Sequence, residues 1–252
     1  MRRPDFLIIG AARSGTTWLY ECLKRHPDVY MARSKKPEPS FFLKDAEYEQ
    51  GFDYYCQRYF SDALKSQVVG EASTSYLYQP WVPERIHKHL PDVKLIAVLR
   101  DPVDRAFSNF KASMENGFEN LSFSDAVRYE SERLSNPASR VEEEIAPFAY
   151  IDRGRYHSQL NRYLRFFPRH QICVLFFEDI LQRPNDLRNR VDDFLGIPQH
   201  ASNIDVGVVR NASQAVGVTV SQQDRSYIIE ALQAENFPSA DWWRPDLNSW
   251  LH

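Results

Sequence analysis

Short apolar runs alternate with amphipathic segments along this chain. The first run, FLII at residues 6–9, predicts a buried strand, and residues 10–15 then form a loop. From Thr16 to about Arg25 the apolar spacing predicts a helix, which Pro27 ends. Further strands are predicted at Gln67–Glu71, Lys94–Leu99 and Ile172–Phe177.

Helices are expected after these strands. Asp101-Pro102 begins one, because Asp is a good N-cap and Pro suits the first helical position. A last helix is predicted at about Ser221–Ala234, before a Trp-rich tail that we expect to pack on the core. This alternation predicts βαβ units in one α/β domain over residues 1–252, with a parallel sheet that binds ligands at the carboxyl ends of its strands.

Two stretches lack such periodicity. The polar stretch Ser135–Ala146 is expected to be a solvated excursion, and the alternative is a mobile flap over an acceptor site. The stretch Asp205–Ser221 carries no clear pattern.

Composition narrows the class of protein. With 43% hydrophobic and 26% charged residues, the chain is neither disordered nor fibrous, and a net charge of −3 does not favour nucleic acid as a partner. Three cysteines form neither a disulfide framework nor a zinc spacing, which indicates a reducing compartment. No apolar run is long enough to span a membrane or serve as a secretory signal, so we expect a cytoplasmic protein or a module of a larger one.

The loop after the first strand, GAARSGTTW at residues 10–18, has the context of a phosphate loop. Backbone N–H groups and a helix N-terminus there favour an anion. The spacing Gly10-x-x-x-x-Gly15 fits the first part of the nucleotide pattern G-x-x-x-x-G-K-[ST], but Thr16 replaces the lysine that reaches a triphosphate. An ordinary Gly-rich turn is the alternative.

Several side chains of this loop suit an anion. Arg13 offers a charged fork, Gly15 allows close backbone approach, and Thr16 and Thr17 add hydroxyl donors. Trp18 either offers a flat face to a purine or packs in the core at helical spacing.

The second informative stretch is LRDPVDRAFS at residues 99–108. Arg100 at a strand tip disfavours a divalent cation and favours a phosphate, and Ser108 lies about two turns into the following helix. Asp101 is expected to cap that helix, whereas Asp104 and Arg105 are expected to be solvated or structural.

Together the two stretches resemble the phosphate-binding motifs of sulfotransferases that use 3′-phosphoadenosine 5′-phosphosulfate (PAPS). The resemblance implies a P-loop-type parallel sheet flanked by helices, PAPS as donor and 3′,5′-adenosine bisphosphate (PAP) as product. It assigns the 3′-phosphate to Arg100 and Ser108, and adenine stacking to Trp18. It assigns the 5′-phosphosulfate to Arg13, Ser14, Gly15, Thr16 and Thr17.

Three further segments resemble elements of the carbohydrate-type and bacterial branches, namely KPEPSFF (36–42), GEASTSY (70–76) and RGRYHSQL (153–160). The chain departs from these branches at Ala72, where heparan-type members often have Lys, and at Ser75 in place of a usual Pro. The donor motifs are intact, and the acceptor is expected to be a hydroxyl or an amine of a small molecule, a lipid or a carbohydrate. No metal is expected at the site.

Sulfuryl transfer needs electrostatic stabilisation of the leaving phosphate and a base for the acceptor proton. Arg13 serves the first need. For the base, Glu38 comes first because the resembling element carries the base of the carbohydrate branch, and a solvated loop carboxylate is its alternative. Glu71 comes second and His157 third.

Two other functions stay open at this point. One is a P-loop kinase or NTPase for a small molecule, which Thr16 and Arg100 both oppose. The other is an adenine-nucleotide-binding module without catalysis.

Overall fold

The computed structural model of the chain describes residues 1–32, 38–65, 67–136, 147–200 and 219–233. Most of the stretch Ser135–Ala146, most of Asp205–Ser221 and the whole Trp-rich tail lie outside these residues. The described chain divides into two compact units, the first formed by residues 1–99 and 159–200 and the second by residues 100–158 and 219–233.

The first unit is built on a five-stranded sheet in which all pairs are parallel, in the order β2-β3-β1-β4-β5. Its strands are β1 Phe6–Gly10, β2 Val29–Met31, β3 Val68–Ala72, β4 Lys94–Leu99 and β5 Ile172–Phe176. The predicted parallel α/β sheet is confirmed, and each predicted strand lies within one residue of its observed bounds. The strand β2 was not predicted.

Helices follow the strands. In chain order they are α1 Thr16–Lys24, α2 Asp45–Tyr48, α3 Phe52–Phe60, α4 Val82–His89, α5 Pro102–Glu115, α6 Phe123–Arg128, α7 Glu130–Ser135, α8 Tyr156–Leu164, α9 Phe177–Gln182, α10 Pro184–Leu195 and α11 Gln222–Gln233. Short 3-10 turns lie at Asp152–Gly154 and Arg169–Gln171.

The core of the first unit packs one face of the sheet against α1 and α10. Strand residues at alternate positions share that face, because successive side chains of a strand point to opposite sides. The set includes Phe6, Ile8, Ile96, Val98, Cys173 and Leu175 from the strands, Trp18, Leu19, Cys22 and Leu23 from α1, and Leu187, Val191 and Leu195 from α10. The intervening Leu7, Ile9, Leu95 and Ala97 are also fully buried, so both faces of the central strands are covered.

Gly70 sets the spacing at the centre of this sheet. It pairs with Phe6 across β1 and β3, and a Cβ atom at this position would overlap the ring of Phe6. The absence of a side chain therefore lets the ring lie over the neighbouring strand.

The second unit has a core of its own. It consists of Val103, Ala106 and Phe110 of α5, Phe123, Ala126 and Val127 of α6, Phe148, Tyr150 and Ile151, and Ile228, Ile229 and Leu232 of α11. Within the described ranges, none of the helices combines the length and the apolar character that crossing a bilayer requires.

Candidate active site

The loop that joins β1 to α1 has a backbone shaped for an anion. Arg13 and Gly15 both have positive φ angles, 70° and 87°, and Ser14 N–H donates to the Ala11 carbonyl over 3.2 Å. No side chain of the described residues caps α1, and its first turn holds no acidic residue. The positive end of this helix is therefore not neutralised locally, as an anion-binding helix requires.

Ser14 is the clearest polar residue of the loop. Its side chain is fully buried, and its Oγ has no hydrogen-bond partner among the described residues. A buried hydroxyl without a partner is costly, so such a group is typical of a site that a ligand completes.

Gly15 has a structural reason beyond close approach to a phosphate. A Cβ here would lie 2.8 Å from the Cδ1 of Ile180 and 2.8 Å from the Cδ2 of Phe177, and the φ angle of 87° is one that L-residues rarely adopt. The packing of α9 thus requires glycine at position 15. Of the neighbouring residues, Thr16 is buried, Thr17 is exposed and Arg13 is half-buried.

Trp18 lies in the core rather than at a surface. Its side chain is 2% exposed and belongs to the cluster between the sheet and the helices α1 and α10. The structure favours the core-packing interpretation of this residue, and the expected face for stacking on adenine is not exposed.

The segment after β4 begins the second unit with a different arrangement. As predicted, Asp101 caps α5: its carboxylate accepts from the N–H groups of Val103 and Asp104, each over 2.9 Å, and Pro102 is the first helical residue. Arg225 also contacts Asp101 over 3.2 Å. Arg100 is half-buried and its carbonyl accepts the Tyr156 hydroxyl over 3.0 Å, whereas Ser108 is buried.

Arg105 is fully buried, so it is structural and not solvated. It donates to the Tyr150 carbonyl and, over 3.5 Å, to Asn109 Oδ1. The pKa of Arg105 is lowered to about 10, mainly by burial and in part by the charges of Arg153 and Arg100, whereas Tyr156 and Glu130 oppose the decrease. The guanidinium groups of Arg100 and Arg153 thus act on that of Arg105, and the carboxylate of Glu130 offsets part of their charge.

Glu38 lies directly after residues 33–37, which are outside the described part of the chain. It is half-buried, and Thr74 Oγ1 donates to its Oε1 over 2.5 Å. Phe41 and Phe42, three and four residues later, are fully buried. The carboxylate therefore sits on an anchored segment, while part of its side chain stays accessible.

Glu71 has a very different environment. It is fully buried near the end of β3, and both its oxygens accept hydrogen bonds from hydroxyl groups: Tyr55 and Tyr76 to Oε1 over 3.0 Å each, and Ser73 to Oε2 over 2.6 Å. Burial raises the pKa of Glu71 to about 7, the three hydroxyl groups oppose that rise, and the nearby charge of Glu38 adds to it. The structure gives Glu71 an interior position.

His157, the third candidate base, is the second residue of α8 and is half-buried. In the described ranges, no three or more His, Cys, Asp and Glu side chains group as metal ligands would.

The prediction missed the side chains that donate hydrogen bonds to Glu38 and Glu71, although all but one of them share one motif. Ser73, Thr74 and Tyr76 all lie in GEASTSY, where four consecutive hydroxyl-bearing residues were the available signal. Tyr55, 16 residues before Glu71, carried no such signal.

A family model for the sulfotransferase domain matches residues 3–216. The chain belongs to the sulfotransferase family. The expected family and fold are thereby confirmed, and sulfuryl transfer is favoured over the kinase alternative.

Individual relatives agree. The chain is 32% identical over 201 residues to heparan sulfate glucosamine 3-O-sulfotransferase 6 of Homo sapiens, which covers 78% of this chain and 53% of that protein. A solved sulfotransferase of Alicyclobacillus acidocaldarius is 27% identical, with a TM-score of 0.82 and full coverage of both chains. A mouse sulfotransferase solved with PAP is 14% identical with a TM-score of 0.53, which shows the fold alone. This sulfotransferase-family chain spans about half the length of the curated relatives it matches.

Proposed function

We propose that this chain transfers a sulfuryl group from PAPS to a hydroxyl group of an acceptor. The observation that carries the proposal is the loop of residues 10–15. Among the described residues, the buried Ser14 hydroxyl has no hydrogen-bond partner, and no side chain caps the N-terminus of α1. The family match supports PAPS as the donor. The proposal covers residues 1–252 as one sulfotransferase domain, and the matched range 3–216 includes parts of both compact units.

The residues present fit such a donor. The loop offers N–H groups, the Ser14 hydroxyl and the Arg13 guanidinium to the 5′-phosphosulfate end. Arg100, which is half-buried, and Ser108, which is buried, are proposed to hold the 3′-phosphate. Trp18 is left out of this proposal because it is buried in the core.

The donor, when bound, supplies the sulfuryl group and a phosphate leaving group. Glu38 accepts the proton of the acceptor hydroxyl while that oxygen forms its bond to sulfur and the bond between sulfur and the 5′-phosphate oxygen breaks. The products are a sulfate ester, PAP and a protonated Glu38. Arg13 and the loop N–H groups stabilise the charge that develops on the leaving oxygen.

A carbohydrate hydroxyl is the proposed acceptor class. The support is that two relatives are named as heparan sulfate glucosamine 3-O-sulfotransferases. Ala72 lacks the charge of the lysine that heparan-type members often have there, so we propose a less anionic sugar than heparan sulfate. Radiolabelled PAPS offered with neutral glucosamine oligosaccharides, heparan sulfate fragments and lipid alcohols in parallel tests the class, and preferential labelling of a lipid alcohol would overturn it.

Calorimetry separates this function from its alternatives. We expect PAP to bind without magnesium and more tightly than ATP with or without Mg²⁺, since no lysine follows Gly15. A preference for Mg-ATP would indicate a kinase or NTPase. PAP binding with no label transfer to any acceptor would indicate a nucleotide-binding module.

The base is tested with the Glu38→Gln variant. We expect its turnover to fall about 100-fold or more, within the usual range for a general base, while its PAP affinity stays at the wild-type value. Full turnover in Glu38→Gln, together with loss of activity in His157→Ala, would assign the base to His157.

A cytoplasmic location is also proposed. Cys22, Cys56 and Cys173 are all free and buried, and burial raises the pKa of their thiols, to about 12 for Cys22. Reduced, unreactive thiols suit a reducing compartment. Fractionation of cells that express the native gene tests this, and recovery in a membrane or secreted fraction would contradict it.

A further inference from the structure

Glu71 is connected by hydrogen bonds to the segment that carries Glu38. The link runs through two of the three hydroxyl groups that donate to Glu71. Ser73 Oγ accepts the backbone N–H of Ser40 over 2.9 Å, and the Tyr76 hydroxyl accepts the backbone N–H of Phe42 over 3.2 Å. These two amides are two and four residues after Glu38, so one buried carboxylate is joined to the backbone of that segment at two points.

The segment needs such support because its backbone is strained. Ser40 has a φ angle of 55°, in the left-handed region that residues other than glycine rarely adopt. A strained residue persists only when its surroundings hold it in place. The Ser40 N–H bond to Ser73 is one restraint, and the Ser40 carbonyl, which accepts the N–H of Leu43 over 3.1 Å, is another.

The direction of these hydrogen bonds depends on the charge of Glu71. An ionised carboxylate only accepts, so it turns the Ser73 and Tyr76 hydroxyl protons toward itself and leaves their lone pairs for the two amides. A protonated carboxyl must instead donate one hydrogen bond. The hydroxyl that receives it has to direct its own proton elsewhere, which weakens its hold on the backbone.

We propose that Glu71 is a positioning residue for the catalytic base, and that its carboxylate orients the Ser73 and Tyr76 hydroxyl groups that hold the Glu38–Phe42 segment in its reactive conformation. The proposal rests on the proposed function in one respect, namely that Glu38 is the base. It assigns Glu71 a role distinct from that of a base itself, which its complete burial disfavours.

The same network predicts a pH dependence near neutrality. The titratable groups that act on Glu71 within the described chain are Glu38, Tyr76, Tyr55 and Tyr59 of α3, and Tyr163 of α8. The pKa of Glu71 is raised to about 7, so turnover should fall as pH decreases through about 7. Stability has the opposite sign: a raised carboxyl pKa stabilises the fold at low pH, and that contribution is lost between pH 4.5 and about 7.

Three variants of similar size separate positioning from simple stability. Ser73→Ala and Tyr76→Phe each remove one donor to Glu71 together with one acceptor for the Glu38 segment. Tyr55→Phe removes a donor to Glu71 alone and is the matched control. All three should lose stability, because each breaks a buried hydrogen bond.

We expect two measurements to divide the variants. Amide hydrogen exchange in peptides that cover residues 38–43 should rise about tenfold in Ser73→Ala and Tyr76→Phe and stay near wild type in Tyr55→Phe. The alkaline plateau of kcat, with labelled PAPS and a glucosamine oligosaccharide, should fall about tenfold in the first two. In Tyr55→Phe the acid limb of the kcat–pH profile should move to higher pH, because the Tyr55 hydrogen bond lowers the pKa of Glu71, while the plateau of kcat stays at the wild-type value.

Equal exchange in all three variants, or faster exchange with an unchanged plateau, would overturn the positioning role. Amide exchange is measured without PAPS and without a sulfuryl acceptor, so its outcome does not depend on the enzymatic assay. Failure of the wild-type protein to bind PAP, or full turnover in Glu38→Gln, would instead count against the proposed function.

Discussion

Two helices follow neighbouring parallel strands of this protein, and they begin in opposite ways. Helix α1, after β1, has no side-chain cap among the described residues and no acidic residue in its first turn. Helix α5, after β4, is capped by the carboxylate of Asp101 and carries Asp104 in its first turn. A free N-terminus binds an anion with backbone groups, whereas a capped one already holds its negative charge.

The difference explains why the two proposed phosphate sites use different chemistry. Near α1 the proposed donors include backbone N–H groups, beside the Ser14 hydroxyl and the Arg13 guanidinium. Near α5 the helix dipole is already balanced, so binding has to come from the side chains of Arg100 and Ser108. The first arrangement suits a group whose charge changes during reaction, and the second suits a phosphate that is only held.

The largest expected effect comes from removing the charge of the first site. In Arg13→Ala we expect kcat to fall by a factor of about 10²–10³, because the leaving phosphate loses its cation, while PAP affinity falls less. Initial rates with labelled PAPS, combined with calorimetry of PAP, measure both quantities. A change in affinity with kcat unaltered would show that Arg13 only binds the donor.

The second site should show the reverse pattern. In Arg100→Ala, PAP affinity should fall about tenfold or more, because a charge-assisted contact contributes on the order of 1.5–3 kcal/mol. The value of kcat at saturating donor should stay close to wild type. Wild-type affinity in both Arg100→Ala and Ser108→Ala would refute the assignment of the 3′-phosphate.

Ser14→Ala tests the unpartnered hydroxyl. We expect PAP affinity to fall several-fold, whereas the free energy of unfolding without ligand stays the same or rises, because no hydrogen bond is lost in the free protein. Ser113→Ala is the matched control, since Ser113 is also buried but donates to the Pro147 carbonyl over 2.8 Å. That control should lose stability, and chemical denaturation of both variants would reveal any exception.

The smallest effect is expected at the cap of α5. Asp101→Ala should lower the free energy of unfolding by about 1 kcal/mol, as loss of a cap does, and should leave kcat near wild type. Urea denaturation measures the first quantity and labelled PAPS the second. A fall in kcat beyond the loss of folded protein would give Asp101 a catalytic role.

Local patterns predicted much of this fold. The strand β4 and the start of α5 were predicted at their observed residues, because an apolar run followed by Asp-Pro has few alternatives. The three-residue strand β2 has no alternation of its own, so only its pairing with β3 reveals it.

Tertiary contacts decided the residues that the patterns left open. The helical spacing of Trp18 allowed both a core position and a stacking face, and only its packing with strand residues favoured the core position. The burial of Arg105 and the donation of Tyr55 to Glu71 join residues whose spacing carries no signal. Hydroxyl-rich motifs beside a strand end therefore merit examination as hydrogen-bond networks.

Gly70 connects these observations in one further way. Since its backbone lies against the ring of Phe6, any side chain there would push β3 away from β1. Strand β1 leads into the loop of residues 10–15 and β3 carries Glu71, so a single methyl group at position 70 would change the distance between the proposed phosphosulfate loop and the residue proposed to position the base. Redesign of the acceptor preference should accordingly leave this position alone and begin at Ala72 and Ser75.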